Sequence, residues 1–481
     1  MVARCRLKKS VLLFNPWIYD FAAYDFWFKP LGLLSIGAVL KKLGYHVDLV
    51  DCLDRFHPLL HKAALAPAVD NHGDYSGKFI RQPIAKPTVL EHVPRKYCRY
   101  GMPPEQVMTL LDQIDPPHVV LITSFMTYWY PAVVDAVEII RNRFPHAIII
   151  LGGIYATLAT EHAKKTARPD FIISGEGEIA AVRLIAGLLD GPGGGFTFSS
   201  LDELPFPALE LYPNLHSAAI LTSRGCPFSC SFCASKLLAP HYRRRSPGNV
   251  LQEIEQWHEQ FNVRQFAFFD DALLLHADKF LKPILASVCD RKWRLNFHTP
   301  NGLTPRYIDQ ELARLFFHAG IRTVRLSFET INAARQQSMS AKVTGAELEQ
   351  AIELFQKAGY RRSDIGVYVM MGLPGQEVAE VVESIEFVYR LGAKISLASF
   401  SPIPGTIEWK NALADGLWSE QDDLLLTNTT VFPLWSKTVG YKAAFDLMHY
   451  AKELNQQVAA APMGEMPVYE HSEQNARVEF E

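Results

Sequence analysis

Three of the chain's seven cysteines fall within eight residues, in Gly225-Cys226-Pro227-Phe228-Ser229-Cys230-Ser231-Phe232-Cys233. A C-x3-C-x2-C spacing can wrap three thiolates around one face of an iron–sulfur cubane. A [4Fe–4S] cluster ordinarily takes four thiolates, so three leave one iron open to a small molecule. The same residues admit two other readings. One is a cluster of core cysteines. The other is a structural zinc site with His241 as fourth ligand, giving a zinc-stabilised, non-catalytic binding protein. Cys5, Cys52, Cys98 and Cys289 are scattered and read as structural. Seven cysteines in 481 residues are too few for a disulfide scaffold.

The elements that must position the triad follow a β/α rhythm. The spacing predicts strands at 218–222, 265–269, 294–298, 323–328, 366–371 and 395–400. Helices are expected between them at 247–260, 277–289, 305–319, 345–358 and 378–391. Ser246-Pro247 and Thr304-Pro305 each place a hydroxyl before a proline, a helix-start signal. Six such units predict a partial (β/α)6 TIM-type barrel over residues 210–410, with its site at the C-terminal strand ends. The cysteines follow the first of these strands. A helical C-terminal extension is expected over 411–481, polar after Gly464.

Ahead of it, residues 1–195 alternate in the same way. Strands are expected at 10–14, 47–50, 119–123, 147–151 and 171–173, the third central because it is wholly apolar. Helices are expected at 31–43, ending at Gly44, at 132–144, and from Glu161 to Lys165. The fold class is therefore α/β, with an N-terminal doubly wound parallel sheet whose ligands sit at the strand ends. Those ends carry Asn15, Asp51, Ser124, Gly152-Gly153 and Gly175. Residues 55–105 break the rhythm and read as a long polar insertion, a lid or interdomain contact. Gly191–Gly195 and Leu204-Pro205-Phe206-Pro207 read as a boundary and linker.

Composition excludes several classes. Lys plus Arg is 48 and Asp plus Glu 51, a net charge of −3. Without a basic excess, no nucleic-acid partner is expected. Hydrophobic residues are 48% and charged residues 21%, as in folded soluble chains. No apolar run reaches the roughly 18 residues of a membrane span. A basic start at Arg4–Lys9 precedes Val11–Phe14, too short for the core of a signal peptide. A cytoplasmic location is expected.

With Phe232 as the aromatic of C-x3-C-x-aromatic-C, the triad resembles the radical S-adenosylmethionine superfamily. The resemblance implies a cluster held by Cys226, Cys230 and Cys233, its open iron chelated by S-adenosylmethionine. One electron then cleaves the sulfonium to a 5′-deoxyadenosyl radical that abstracts hydrogen from substrate. It further implies cofactor contacts at Phe232, at Asp270 and Asp271 (methionine amino group), at Ser327 and Glu329 (ribose), and at Gly372 (adenine). Met370 departs from the family's G-x-I-x-G-x-x-E pattern. Asn296, His298 and Asn301-Gly302 are candidates to face substrate or cofactor. Arg243-Arg244-Arg245 reads either as a carboxylate partner or as a solvated basic run. An electron donor such as flavodoxin or ferredoxin is implied, with a small-molecule substrate.

The N-terminal half resembles the cobalamin-binding-domain subclass at Pro30-Leu31-Gly32, Gly44-Tyr45, Gly152-Gly153 and Gly175-Glu176-Gly177-Glu178. This implies cobalamin, with tail contacts at Thr123, Ser124, Gly152 to Thr157 and Gly175. Its function would be methylation of an unactivated carbon, with S-adenosylmethionine as both radical source and methyl donor. The alternative is non-methylating rearrangement, cyclisation or oxidation with the N-terminal domain as scaffold. The D-x-H-x-x-G motif of many cobalamin proteins is absent. Asp70-Asn71-His72-Gly73 is a superficial likeness, and no lower axial ligand is assigned. Tyr128, Trp129 and Tyr130 are candidate pocket, interface or core residues.

Overall fold

The computed structural model describes residues 9–65 and 73–460. Cys5, the basic start before Lys9, the Asp70–His72 sequence and the polar end after Gly464 lie outside these residues. The chain forms two compact units. One runs to Ala219 and takes in Leu237–Ala239 and Glu259–Val263; the other comprises the rest.

The N-terminal unit is built on five parallel strands: β1 (Ser10–Asn15), β2 (His46–Asp51), β3 (Val119–Ile122), β4 (Ile148–Leu151) and β5 (Phe171–Ile172). Their order is β5-β4-β3-β1-β2. β3 is central, and all four of its residues are buried. This doubly wound order reverses between β1 and β3, the place where such sheets receive ligands. The helix Leu31–Lys42 packs Leu33, Val39 and Leu40 into a core with Val11, Leu13 and Val47. The helix expected at 132–144 begins at Tyr130, because Pro131 suits its first turn. The helix expected near Glu161 spans Thr160–Thr166, after a shorter one at Ile154–Leu158.

The segment 55–105 is not a bare insertion. Cys98–Tyr100 pairs antiparallel with both Ile18–Asp20 and Arg81–Pro83, and Tyr24–Asp25 pairs with Gly77–Lys78. Leu90, Val93, Tyr97 and Tyr100 are buried. Buried Arg55 pins it, donating to the carbonyls of Tyr75 and Lys78 and to Asp25. The stretch after the glycine run also joins this unit: Leu201 and Leu204 enter its core, and the Tyr212 hydroxyl donates to Asp51 at 2.5 Å.

A six-stranded sheet runs in chain order from β6 (Ser217–Ile220), which straddles the unit boundary at Ala219, through the second unit's β7 (Gln265–Phe268), β8 (Asn296–His298), β9 (Ile321–Glu329), β10 (Ile365–Met371) and β11 (Lys394–Ser399). From β7 onward each pair is parallel. Three of the connecting helices lie at Pro247–Phe261, Gly345–Ala358 and Val378–Arg390, the second opened by a Thr344/Glu347 capping box. Ser246 accepts from the Asn249 N–H as expected of a cap. Thr304 does not. It makes no capping bond, the turn after it is a separate 3-10 segment, and the helix Gln310–Ala319 is capped by Asp309 accepting from Leu312 N–H. The helix expected from Ala277 begins only at Leu281. Beyond β11 lie short turns and the helix Tyr441–Ala460. Asn455 of that helix donates to the carbonyl of Ile395 and accepts from its N–H, occupying the outer edge of β11.

Candidate functional site

The cysteine loop leaves the C-terminal end of β6 and is held from several directions. Ser223–Arg224 pairs antiparallel with Arg243–Arg244 across its base. Asp270, fully buried after β7, accepts from Thr222 N–H (3.0 and 3.1 Å), Thr222 Oγ1 (2.7 Å) and Ser223 Oγ (2.5 Å). Ser231, between the second and third cysteines, donates its hydroxyl to Glu408 at 2.5 Å and its N–H to the carbonyl of Met339. Cys233 N–H closes a turn onto the carbonyl of Cys230.

The three thiols are free and graded in exposure: Cys226 buried, Cys230 intermediate, Cys233 exposed. Burial raises the Cys226 thiol pKa and pushes that of Cys230 up to about 11. Cys233 adds to the rise at both Cys226 and Cys230, and Lys342 opposes it at both. Among the described residues no three His, Cys, Asp or Glu side chains are already gathered as a metal-ion cage. The fit to an iron–sulfur cluster therefore rests on the donor set: three neighbouring unoxidised thiols on one anchored loop, beside a cation. Iron would reverse the effect of burial by stabilising thiolate.

Glu329 is the most unusual carboxylate of this end. It closes β9 with φ of +72°, a left-handed conformation rare outside glycine. A register shift against β10 lies between Ser327 and Glu329. Such a bulge re-aims the side chain that follows it. Glu329 acts electrostatically on Cys230, and burial pushes its pKa up to about 7 against the pull of Lys342. Asp271 is exposed at its surface but crowded by protein, which raises its pKa; it hydrogen-bonds Ser235 and acts on Cys226. Ser235 sits against Cys233, its N–H donating to the sulfur at 3.4 Å and its hydroxyl 3.2 Å away.

The structure thus brings Cys226, Cys230, Cys233, Asp271 and Glu329 together. Phe232 packs against a cluster containing Met370, Leu373 and Phe400, next to the end of β10. Gly372 follows that strand and lies under Trp435. Ser327 is buried and faces Gly302, where a side chain would collide with its hydroxyl.

Several expected ligand contacts are corrected. Asp270 has its oxygens spent on four contacts from three donors, so it anchors the cysteine loop and is not a free acceptor for an ammonium group. His298 is buried between Gln265 and Thr323, and Asn301 donates to the carbonyl of Phe269. Two members of the arginine run are engaged within the protein: Arg244 holds the carbonyls of Ala272 and Leu273, and Arg245 is paired with buried Glu253. His241 is exposed, and among the described residues no three-ligand group forms around it. Sequence reasoning missed Lys342, Ser231, Ser235 and Glu408. Lys342 also lies over the Phe228 ring at 5.4 Å. The partners of Ser231 and Glu408 are set by tertiary contact across a 177-residue span, whereas Ser235 lies two residues from Cys233, a local signal that went unread.

In the N-terminal unit Ser124 is likewise engaged. Its hydroxyl donates to Gly152 O at 2.7 Å and accepts from Ala156 N–H. Gly153 has φ of +95°, and a Cβ there would stand 2.2 Å from the Ser124 carbonyl oxygen. These residues lock the loops after β3 and β4 to each other. Thr157 accepts from Gly175 N–H, extending the lock to β5, and the space over Gly175 is open. Thr123 is buried, and Gly152 borders the carbonyl of Ile173. Tyr128, Trp129 and Tyr130 are taken up inside this unit: Tyr128 is buried, Trp129 donates to Asp20, and Tyr130 packs on Tyr155 and His162.

Residues 220–388 match the family model described as the Radical SAM superfamily. An uncharacterised methyltransferase of Pyrococcus horikoshii is 24% identical, over 72% of this chain and 78% of its own. The cytidylyl-2-hydroxyethylphosphonate methyltransferase of Streptomyces wedmorensis is 21% identical, over 87% of this chain and 84% of its own. Among solved structures, the radical S-adenosylmethionine methyltransferase TsrM of Kitasatospora setae, with cobalamin and a [4Fe–4S] cluster bound, superposes with a TM-score of 0.59. It shares 16% identity, over 85% of this chain and 75% of that one. No helix among the described residues is long and apolar enough to cross a membrane.

Proposed function

We propose that this radical S-adenosylmethionine enzyme is a cobalamin-dependent methyltransferase acting on a carbon of a small-molecule substrate. The observation that carries the radical half is the anchored triad Cys226, Cys230 and Cys233 in the domain that matches the family model. The methyl-transfer half is supported by methyltransferase relatives spanning both units. It is supported too by an N-terminal sheet of β5-β4-β3-β1-β2 order with locked loops at its strand ends.

When bound, an iron–sulfur cluster held by Cys226, Cys230 and Cys233 would supply reducing electrons toward S-adenosylmethionine, and cobalamin would supply a methyl carrier. The chain's own residues do the rest. The three cysteines hold the cluster. Lys342 offsets negative charge around the thiolates and is placed to attract a carboxylate. Asp271 offers an acceptor to an ammonium group, and Glu329 offers one to ribose hydroxyls. Phe232 and the residues after β10, with Gly372, shape an apolar wall for the adenine. In the N-terminal unit the open space over Gly175 leaves room for a flat ligand, and the Ser124–Gly153 lock fixes the neighbouring loops.

The test is anaerobic production with cobalamin supplied. Four irons and one cobalt per chain, 5′-deoxyadenosine formation, and transfer of isotopically labelled methyl from S-adenosylmethionine are expected. Iron and 5′-deoxyadenosine without cobalt would reject the methyl-transfer reading. Zinc in place of iron after anaerobic reconstitution would reject both halves.

A further inference from the structure

Charged groups withdrawn from water are ordinarily paired. Arg325 is an exception. It lies within β9 on the face opposite the fully buried Val324, Leu326 and Phe328. Its side chain runs across Gly366 of β10, where a Cβ would meet its Cδ and a guanidinium nitrogen at 2.8 Å. Any larger residue at that position would block the path.

The guanidinium gives one hydrogen bond, to the carbonyl of Val324 at 3.2 Å. Desolvation lowers its pKa, and the opposing influence comes from Tyr368, with no carboxylate contributing. Its remaining N–H groups are not among the sealed, unpartnered buried atoms, so they face accessible space. The register sets a second cation in the same row. Arg325 pairs with Gly366, and Gly366 pairs with Lys394 of β11. Partners across parallel strands share a face. Among the described residues neither Arg325 nor Lys394 has an ion-pair partner. A desolvated fork of donors beside a second cation, with no acid to neutralise them, has the chemistry of a carboxylate or phosphate receptor.

We propose that Arg325 and Lys394 form an anion-binding subsite that takes a carboxylate or phosphate group of the substrate. Four residues separate Arg325 from Glu329, roughly 13 Å along a strand. The substrate is therefore an organic anion whose charged group lies about that far from the cofactor end of the sheet. The assignment of the occupant as substrate rests on the enzymatic reading above; the subsite itself rests on the unpaired cations.

The test uses the anaerobically reconstituted full chain in thermal melts with inorganic phosphate or propionate, ionic strength being held with chloride. Stabilisation of the unaltered chain by millimolar anion is expected. R325Q should raise the concentration needed at least tenfold, and R325K, which keeps charge but loses the fork, should fall between. A preference for phosphate identifies a phosphoryl group, and one for propionate a carboxylate. No response in the unaltered chain, or an equal response in R325Q, overturns the proposal. Should R325Q fail to fold, unchanged titrations in R325K and K394Q overturn it equally. Affinity for S-adenosylmethionine should stay within twofold in R325Q; its loss would assign Arg325 to the cofactor and overturn the substrate subsite. A chain without iron would defeat the radical reading while leaving the anion titration intact, so the two failures are distinguishable.

Discussion

Ser235 meets the sulfur of Cys233 twice, through its backbone N–H at 3.4 Å and with its hydroxyl 3.2 Å away. The same hydroxyl hydrogen-bonds Asp271, and its single proton goes to the sulfur or to the carboxylate, not to both at once. Donors to a cysteine sulfur stabilise the reduced, more negative state of a cluster. S235A removes the hydroxyl and keeps the N–H. Its cluster should form with unchanged iron content and a midpoint potential about 40 mV more negative, equivalent to one hydrogen bond of about 1 kcal/mol in a one-electron couple. An EPR-monitored redox titration measures this, and an unshifted potential would show that the hydroxyl gives no bond to sulfur.

Asp270 and Asp271 are adjacent yet should respond oppositely. D270A strands three donors, each costing about 1–3 kcal/mol if left buried and unsatisfied. It should melt far below the unaltered chain and lose iron. D271N should melt normally, retain its cluster, and bind S-adenosylmethionine at least tenfold more weakly. Melting curves with iron analysis and cofactor titration separate the two; equal stability of D270A and D271N would contradict the anchoring role.

Glu329 sets a pH dependence. Its folded pKa, near 7, lies above the ordinary glutamate value of 4.5. The folded state therefore binds the proton more tightly, and the stability this contributes is full below pH 4.5 and lost as pH rises through about 7. In the ligand-free chain E329Q should match the parent near pH 4.5 and exceed it at pH 8 by about 1–3 kcal/mol. Denaturant melts at the two pH values check this. A gain independent of pH would mean that the carboxylate is not the cause.

Gly153 separates the duties of the two units. G153A forces a Cβ against the Ser124 carbonyl and strains a left-handed backbone, at a cost of about 1–3 kcal/mol. Cobalt retention should fall and iron content should not. Parallel metal analysis of the variant decides; loss of iron with cobalt kept would reverse the assignment.

Much of this was legible from periodicity. β3 announced its central place by being wholly apolar, and the spacing placed the helix Gly345–Ala358, which the structure closes with a Thr344/Glu347 cap at one end and left-handed Gly359 at the other. Thr304 misled because a capping hydroxyl before proline describes a 3-10 turn as well as a helix start. The cysteines were legible because their chemistry is local in sequence. Asp270, Asp271 and Glu329 were found as carboxylates at strand ends, but that Asp270 is spent on the cysteine loop was not. Which carboxylate is consumed by backbone donors depends on how β6 and β7 align, and the strand-end bulge at Glu329 leaves no local pattern. Lys342 and Ser235 matter through what folding sets beside them.

Asn455 has a consequence for shortened forms of the chain. One amide side chain stands in for a neighbouring strand at Ile395, bonding both its N–H and its carbonyl. A form trimmed before Tyr441 would uncover that rim and offer it to any extended segment nearby, including the same rim of another molecule. Self-association would then begin from β11 while the cysteine loop was still intact, and a truncated sample would be lost to precipitation before its chemistry could be assayed.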